Sequence, residues 1–93
     1  MASNFQKKVI KEYEDNGYLV LKHIRLNKSA YPDLQCIKKD CPDIWIECKE
    51  GKDTLKSLQQ KRIDELNKLG KIAFCLHDKK GIIYPPNPKL RRI

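Results

Sequence analysis

Ninety-three residues suffice for one compact domain with a real core, and exclude a catalytic module joined to a separate recognition module. Twenty Lys and Arg against 12 Asp and Glu give a formal charge of +8, a balance that favours nucleic acid or an anionic membrane because neutralised phosphates release their counterions. No apolar run approaches the roughly 18 residues of a spanning helix, and the opening MASNFQKK lacks the apolar stretch of a signal peptide, so a soluble cytoplasmic protein without a membrane partner is expected.

In residues 4–16, Phe5, Val9, Ile10 and Tyr13 recur at three- and four-residue steps, one stripe of a helix capped by Ser3 or Asn4 and ended by Gly17. Residues 18–26 (YLVLKHIRL) are rich in β-branched and aromatic side chains and predict a strand, with Val20, Lys22 and Ile24 opposite in facing to Leu19 and Leu21. A polar loop over 27–32 leads to the apolar run 34–37, the turn-like KKDCP at 38–42 and a second strand, IWIECK, at 44–49; the two runs predict a hairpin. A second helix is expected from Asp53 or Thr54, with Leu55, Leu58, Ile63, Leu66 and Leu69 as its stripe and Gly70 as its stop.

Residues 72–76 read as a buried strand and 81–84 as a short last one, after which Pro85, Pro86 and Pro88 forbid regular structure. The order is helix, three strands, helix, strand and a short extra strand. A helix joining two strands favours parallel pairing, so the fold class is α/β, with α+β as the alternative, and a mixed sheet flanked by two helices. One domain over 1–84 carries a Pro-rich basic tail at 85–93, ending KLRRI.

Cys36, Cys41, Cys48 and Cys75 are spaced unlike any common zinc pattern, His77 being the one extra ligand near Cys75, and they read as reduced, buried small hydrophobes.

With the hairpin turn centred on residues 40–41, Asp33 faces Lys49 and Gln35 faces Glu47. Alternation along the strand puts Glu47 and Lys49 on one face, so Asp33, Glu47 and Lys49 converge at one end of the hairpin. Two carboxylates there suit a hard divalent cation, and an ammonium beside them suits a water or a developing charge. Asp43, also preceded by Pro, would lie about 13 Å along the strand from Glu47, too far to share an ion. Gln59 falls beside the helix stripe, where an amide turned to the sheet suits the positioning of a water or a phosphate oxygen, while Gln60 is expected in solvent. Each residue also has a plainer reading: a solvated strand face, a turn Asp, a surface Gln.

The ordered set Tyr31-Pro32-Asp33-Leu34, Ile46-Glu47-Cys48-Lys49, Leu55-Lys56-Ser57-Leu58-Gln59 and the run 66–70 resembles the VRR-NUC branch of the PD-(D/E)xK nucleases, over about Gln6 to Leu76. The resemblance implies a restriction-endonuclease-like core and a phosphodiesterase acting on DNA, selective for structures such as junctions or flaps, with nucleic acid and a second copy of the chain as partners. It implies Mg2+ or Mn2+ held by Asp33, Glu47 and the Cys48 backbone carbonyl, Lys49 orienting the attacking water, and Gln59 as the helix glutamine. The family often carries an acid where this chain has Gln6; Glu12 borders the first-helix stripe as a weak substitute. Lys22 matches a basic position that would touch the scissile phosphate, or it is a snorkelling surface lysine. Competing readings are a non-catalytic basic nucleic-acid-binding domain, in which the acids are structural, and a small regulator of another protein, against which the 8% aromatic content speaks.

Overall fold

The computed structural model describes residues 3–87. Helix α1 spans Asn4–Asp15, followed by strands β1 (Leu19–Lys22), β2 (Leu34–Ile37) and β3 (Ile44–Lys49), helix α2 (Ser57–Lys68), and strands β4 (Ile72–His77) and β5 (Gly81–Tyr84). The protein is a small α/β domain: a five-stranded mixed sheet in the order β1-β2-β3-β4-β5, with β3 and β4 parallel and every other neighbouring pair antiparallel. The parallel pair follows from the α2 crossover between them. Among the described residues no helix is long and apolar enough to cross a membrane.

Both helices end by one device. Gly17 and Gly70, each at φ 89°, donate to the carbonyls of Glu14 and Asn67, while Tyr18 and Lys71 reach back to Tyr13 and Leu66. This left-handed cap is open to glycine at low strain. At the start of α1 the Ser3 hydroxyl accepts from the Gln6 amide at 3.0 Å.

Side chains alternate across the sheet, and each face has its own helix. Leu34, Cys36, Ile46 and Phe74 are buried with Val9 of α1; Ala73 and Cys75 are buried with Ile63 and Leu66 of α2. Asn67, fully buried, joins α2 to β4: its Nδ2 donates to Ile63 O and Ala73 O at 3.0 Å each, and its Oδ1 accepts from Ala73 N at 3.2 Å. A side-chain amide there supplies both backbone hydrogen-bonding functions of one residue.

Several expectations are corrected. β1 ends at Lys22 rather than at 26: one further backbone bond, His23 N to Asp33 O (2.7 Å), continues its register, and beyond it the chain leaves the sheet as a loop. Helix α2 begins at Ser57 rather than at 53 or 54: Asp53 N closes a turn on Glu50 O, and the helix is capped instead by Gln59, whose Oε1 accepts from Lys56 N at 2.9 Å. The α2 stripe is narrower than expected. Leu58 and Leu69 are 44% and 66% exposed, while Asn67 takes a core position and Gln60 is half-buried rather than solvated. Cys36 and Cys75 are buried and Cys48 half-buried, all unpaired as expected, but Cys41 lies exposed in the hairpin turn. Of the tail, residues 85–87 carry no regular structure and KLRRI lies outside the described residues.

The hairpin register is also corrected. Leu34 pairs with Ile46, Gln35 with Trp45 and Cys36 with Ile44. Asp40 adopts φ 62° and Cys41 N closes on Lys38 O at 3.2 Å, which centres the turn on Asp40 and moves every partner by two residues. A shift of two preserves facing, so the same side chains still share a side.

Candidate active site

Continued by one residue, the β2–β3 register sets Asp33 directly opposite Glu47, not Lys49. The carbonyls of Asp43 and Lys49 point to β4, where they accept from Ile72 N and Asp78 N, and that of Asp33 points to β1. Asp33 and Glu47 therefore lie one step past the last paired rung, at the position of a non-hydrogen-bonded antiparallel pair. Like charges facing each other in this way destabilise a sheet.

Burial sharpens the conflict. Glu47 is 5% exposed, and its carboxyl is pushed up from 4.5 to about 7, first by desolvation and then by the Asp33 charge. Asp33 is half-buried and also raised by desolvation, with Lys49 and Lys22 pulling the other way. Lys49, 5% exposed, lies with Nζ 3.7 Å from Glu47 Oε2 and 3.5 Å from Asp53 Oδ2. One ammonium thus serves the buried Glu47 and the more exposed Asp53, and its charge also bears on the half-buried Asp33.

The Cys48 carbonyl completes the geometry. Carbonyls alternate edges along an extended strand, so that of Cys48 points away from β4 and toward β2. Carried two residues past its last pair, the β2–β3 register would bring Pro32, which is fully buried, opposite it. Proline has no N–H to donate, so this rung of the ladder cannot close on the Cys48 oxygen. The Cys48 thiol lies on the other face, against the α1 layer, where burial pushes it up to about 12.

Gln6 is 7% exposed on α1, and its Nε2 makes a long contact of 3.5 Å with Asp33 Oδ2. Lys22, exposed on β1 two rungs from the hairpin end, is close enough for its charge to bear on Asp33. Asp33, Glu47 and Gln59 line an open cleft of about 380 Å³ whose remaining wall comes from the loop 23–31. Gln59 spends its oxygen on the helix cap, which leaves its Nε2 as the group that can donate to a ligand. Asp43 is remote from this set and accepts from Gln35 Nε2 at 2.7 Å.

Sequence reasoning missed two contributors. Asp53 had been read as the start of a helix, yet it sits on a turn fixed at Gly51, whose carbonyl meets His77 Nε2 at 2.8 Å and whose amide meets Asp78 Oδ1 at 3.3 Å. His77 is thereby committed to the turn, its Nδ1 accepting from Lys79 N and Lys80 N. The other is the cleft wall of residues 23–31, which had been divided between a strand and a polar loop.

The donors fit a hard divalent cation in part. Among the described residues no group of three or more His, Cys, Asp or Glu side chains gathers as a metal site. Two carboxylates and a backbone carbonyl are all oxygen ligands, the kind Mg2+ accepts while keeping several waters. No protein-family model matches this chain, and no curated protein matches it.

Proposed function

We infer that the protein is a metal-dependent nuclease of restriction-endonuclease-like build, hydrolysing phosphodiester bonds in DNA. The observation that carries this reading is the buried Glu47 facing the half-buried Asp33 at the end of the hairpin, with Lys49 beside it. Such a pair weakens the sheet that contains it, and it gains a purpose if a cation neutralises both acids. The element order α1-β1-β2-β3-α2-β4, with β5 added, supports the same reading, being the order the nuclease resemblance implies.

Mg2+ or Mn2+ held there would supply Lewis-acid polarisation of a phosphoryl oxygen and a more acidic water. Asp33, Glu47 and the Cys48 carbonyl would hold it. Lys49 holds its ammonium toward Glu47, placed to orient the attacking water and stabilise the developing phosphorane charge. Gln59 and Gln6 offer amide donors at the cleft and at Asp33, and Lys22 a cation for the adjoining phosphate. The net charge of +8 supports a polyanionic substrate.

Linear, flap and four-way-junction DNA should be cut with Mg2+ or Mn2+ and left whole with chelator; robust cutting in excess EDTA would sink the reading. Ca2+ should bind without turnover, since its longer, looser coordination positions water poorly. The presence of Gln6 where the resemblance leads one to expect an acid favours a second reading, a basic nucleic-acid-binding domain without catalysis. Tight, salt-sensitive DNA binding with no cleavage under any metal would select it.

A further inference from the structure

The cleft beside Asp33 and Glu47 is walled unlike a simple phosphate track. Its wall carries the rings of His23 and Tyr31, the aliphatic Ile24 and Leu26, and the cations Arg25 and Lys28. Both rings are braced from behind. His23 stacks on Trp45 with centroids 5.2 Å apart and 22° between planes, and its Nε2 is hydrogen-bonded to Gln35 Oε1 at 2.8 Å. Tyr31 gives its hydroxyl to Glu65 and lies under the Arg62 guanidinium, 4.7 Å from the ring centroid.

Ile24 is 90% exposed, the most exposed large apolar side chain among the described residues, and Leu26 is 40% exposed. A loop that served phosphates alone would gain nothing from these groups. A cleft of about 380 Å³ is also larger than one phosphate group fills.

We propose that this wall is a nucleobase-binding surface, so that the preferred substrate presents an unpaired nucleotide next to the phosphate that a cation at Asp33 and Glu47 would hold. Rigid rings, apolar contact area and adjacent cations are what a splayed nucleotide engages: the base stacks, and Arg25 and Lys28 meet the flanking backbone. A paired base in an intact duplex keeps its faces covered by its neighbours and gains none of this. A membrane surface would also take a cationic loop with exposed Ile and Leu, but the wall is concave and carries two braced rings, which a single base can enter and a flat bilayer cannot. The proposal rests on the nuclease reading for the identity of the bound phosphate, and adds the form of the strand.

The test is binding in EDTA, where no metal-assisted cleavage intervenes, of a single-stranded oligonucleotide and the matching duplex, each carrying 2-aminopurine, with anionic phospholipid vesicles as a third probe. Single strand should bind about tenfold more tightly than duplex, with 2-aminopurine fluorescence changing on binding. His23→Ala should reduce single-strand affinity about tenfold and leave duplex affinity and the salt slope unchanged. Because His23 packs on Trp45, Ile24→Ser at the exposed tip serves as a second variant, with a smaller loss of single-strand affinity and full retention of folding. Equal affinity for single strand and duplex, equal losses on both in the variants, or vesicle binding that Ile24→Ser abolishes while DNA binding is untouched, each overturns the proposal. Cleavage with Mg2+ is scored separately. Single-strand selectivity without cleavage keeps the wall and removes the nuclease reading, and duplex cutting without selectivity does the reverse.

Discussion

The raised carboxyl of Glu47 makes the site a measurable burden on the metal-free protein. Its pKa rises from 4.5 in the ordinary case to about 7 in the folded chain, so the native state holds a proton that the unfolded state has already released. Stability should fall as pH rises through that window: the cost is absent below about pH 4.5 and complete above about 7. A displacement of that size corresponds to about 3 kcal/mol, of which about 2 to 3 kcal/mol accrues between pH 5 and 8. The attraction to Lys49 is already contained in it, since Lys49 pulls the value down.

Glu47→Gln keeps the shape and removes the ionisation. Relative to wild type it should therefore gain about 2 to 3 kcal/mol between pH 5 and pH 8 in EDTA, a relative shift of roughly 1 to 2 M in urea midpoint for a domain of this size. Saturating Mg2+ at pH 8 should stabilise wild type and leave the variant unmoved. A stability difference constant from pH 5 to 8 would refute the reasoning. So would a wild type that gains on the variant as pH rises, because the ionised Glu47 would then be well accommodated without a cation.

Three further outcomes are expected. Asp33→Ala should abolish cleavage while Asp43→Ala, whose carboxylate serves Gln35, leaves most of it; equal losses in two folded variants would discard the assignment of the acids. Lys49→Ala should lower single-turnover cleavage by on the order of a hundredfold with DNA affinity and salt slope nearly unchanged, whereas weaker binding with a wild-type rate at saturation would make Lys49 an ordinary phosphate contact. Asn67→Ala should cost about 3 kcal/mol in chemical denaturation, because the Ala73 N–H and two carbonyls lose their partner in the core; a loss under about 1 kcal/mol would mean that they find other partners.

Much of this architecture is legible in local patterns. The Phe5, Val9, Ile10 and Tyr13 stripe and the glycines at 17 and 70 mark where helices run and stop, since the helix period and the left-handed cap are properties of a few neighbouring residues. Facing along β3 is likewise local, and Glu47 and Lys49 share a side as alternation requires. Register is not local in this sense. Nothing in KKDCP says that Asp40 will turn left-handed, and that one dihedral decides whether Asp33 meets Lys49 or Glu47. The start of α2 was missed because Asp53 and Thr54 have good capping chemistry, but Asp53 is taken by the turn with Glu50 and by Lys49. Asn67 occupies a core position that no apolar pattern would assign to it, because its partners belong to β4. The loop 23–31 carries no periodicity, and its side chains are gathered by Trp45, Glu65 and Arg62 from elsewhere in the chain.

Pro32 also sets how far the hairpin can zip. Pairing spreads outward from the Asp40 turn rung by rung, and beyond Asp33 and Glu47 the next hydrogen-bonded rung after Leu34 and Ile46 would fall to Pro32 and Cys48. A residue with an N–H at position 32 would let the ladder run on and occupy the Cys48 oxygen, and the amides there would exchange with solvent as slowly as those of the core strands. The proline halts that growth one step past the acids, so the end of the sheet remains a place where a backbone oxygen and two carboxylates stay available to something other than the chain itself.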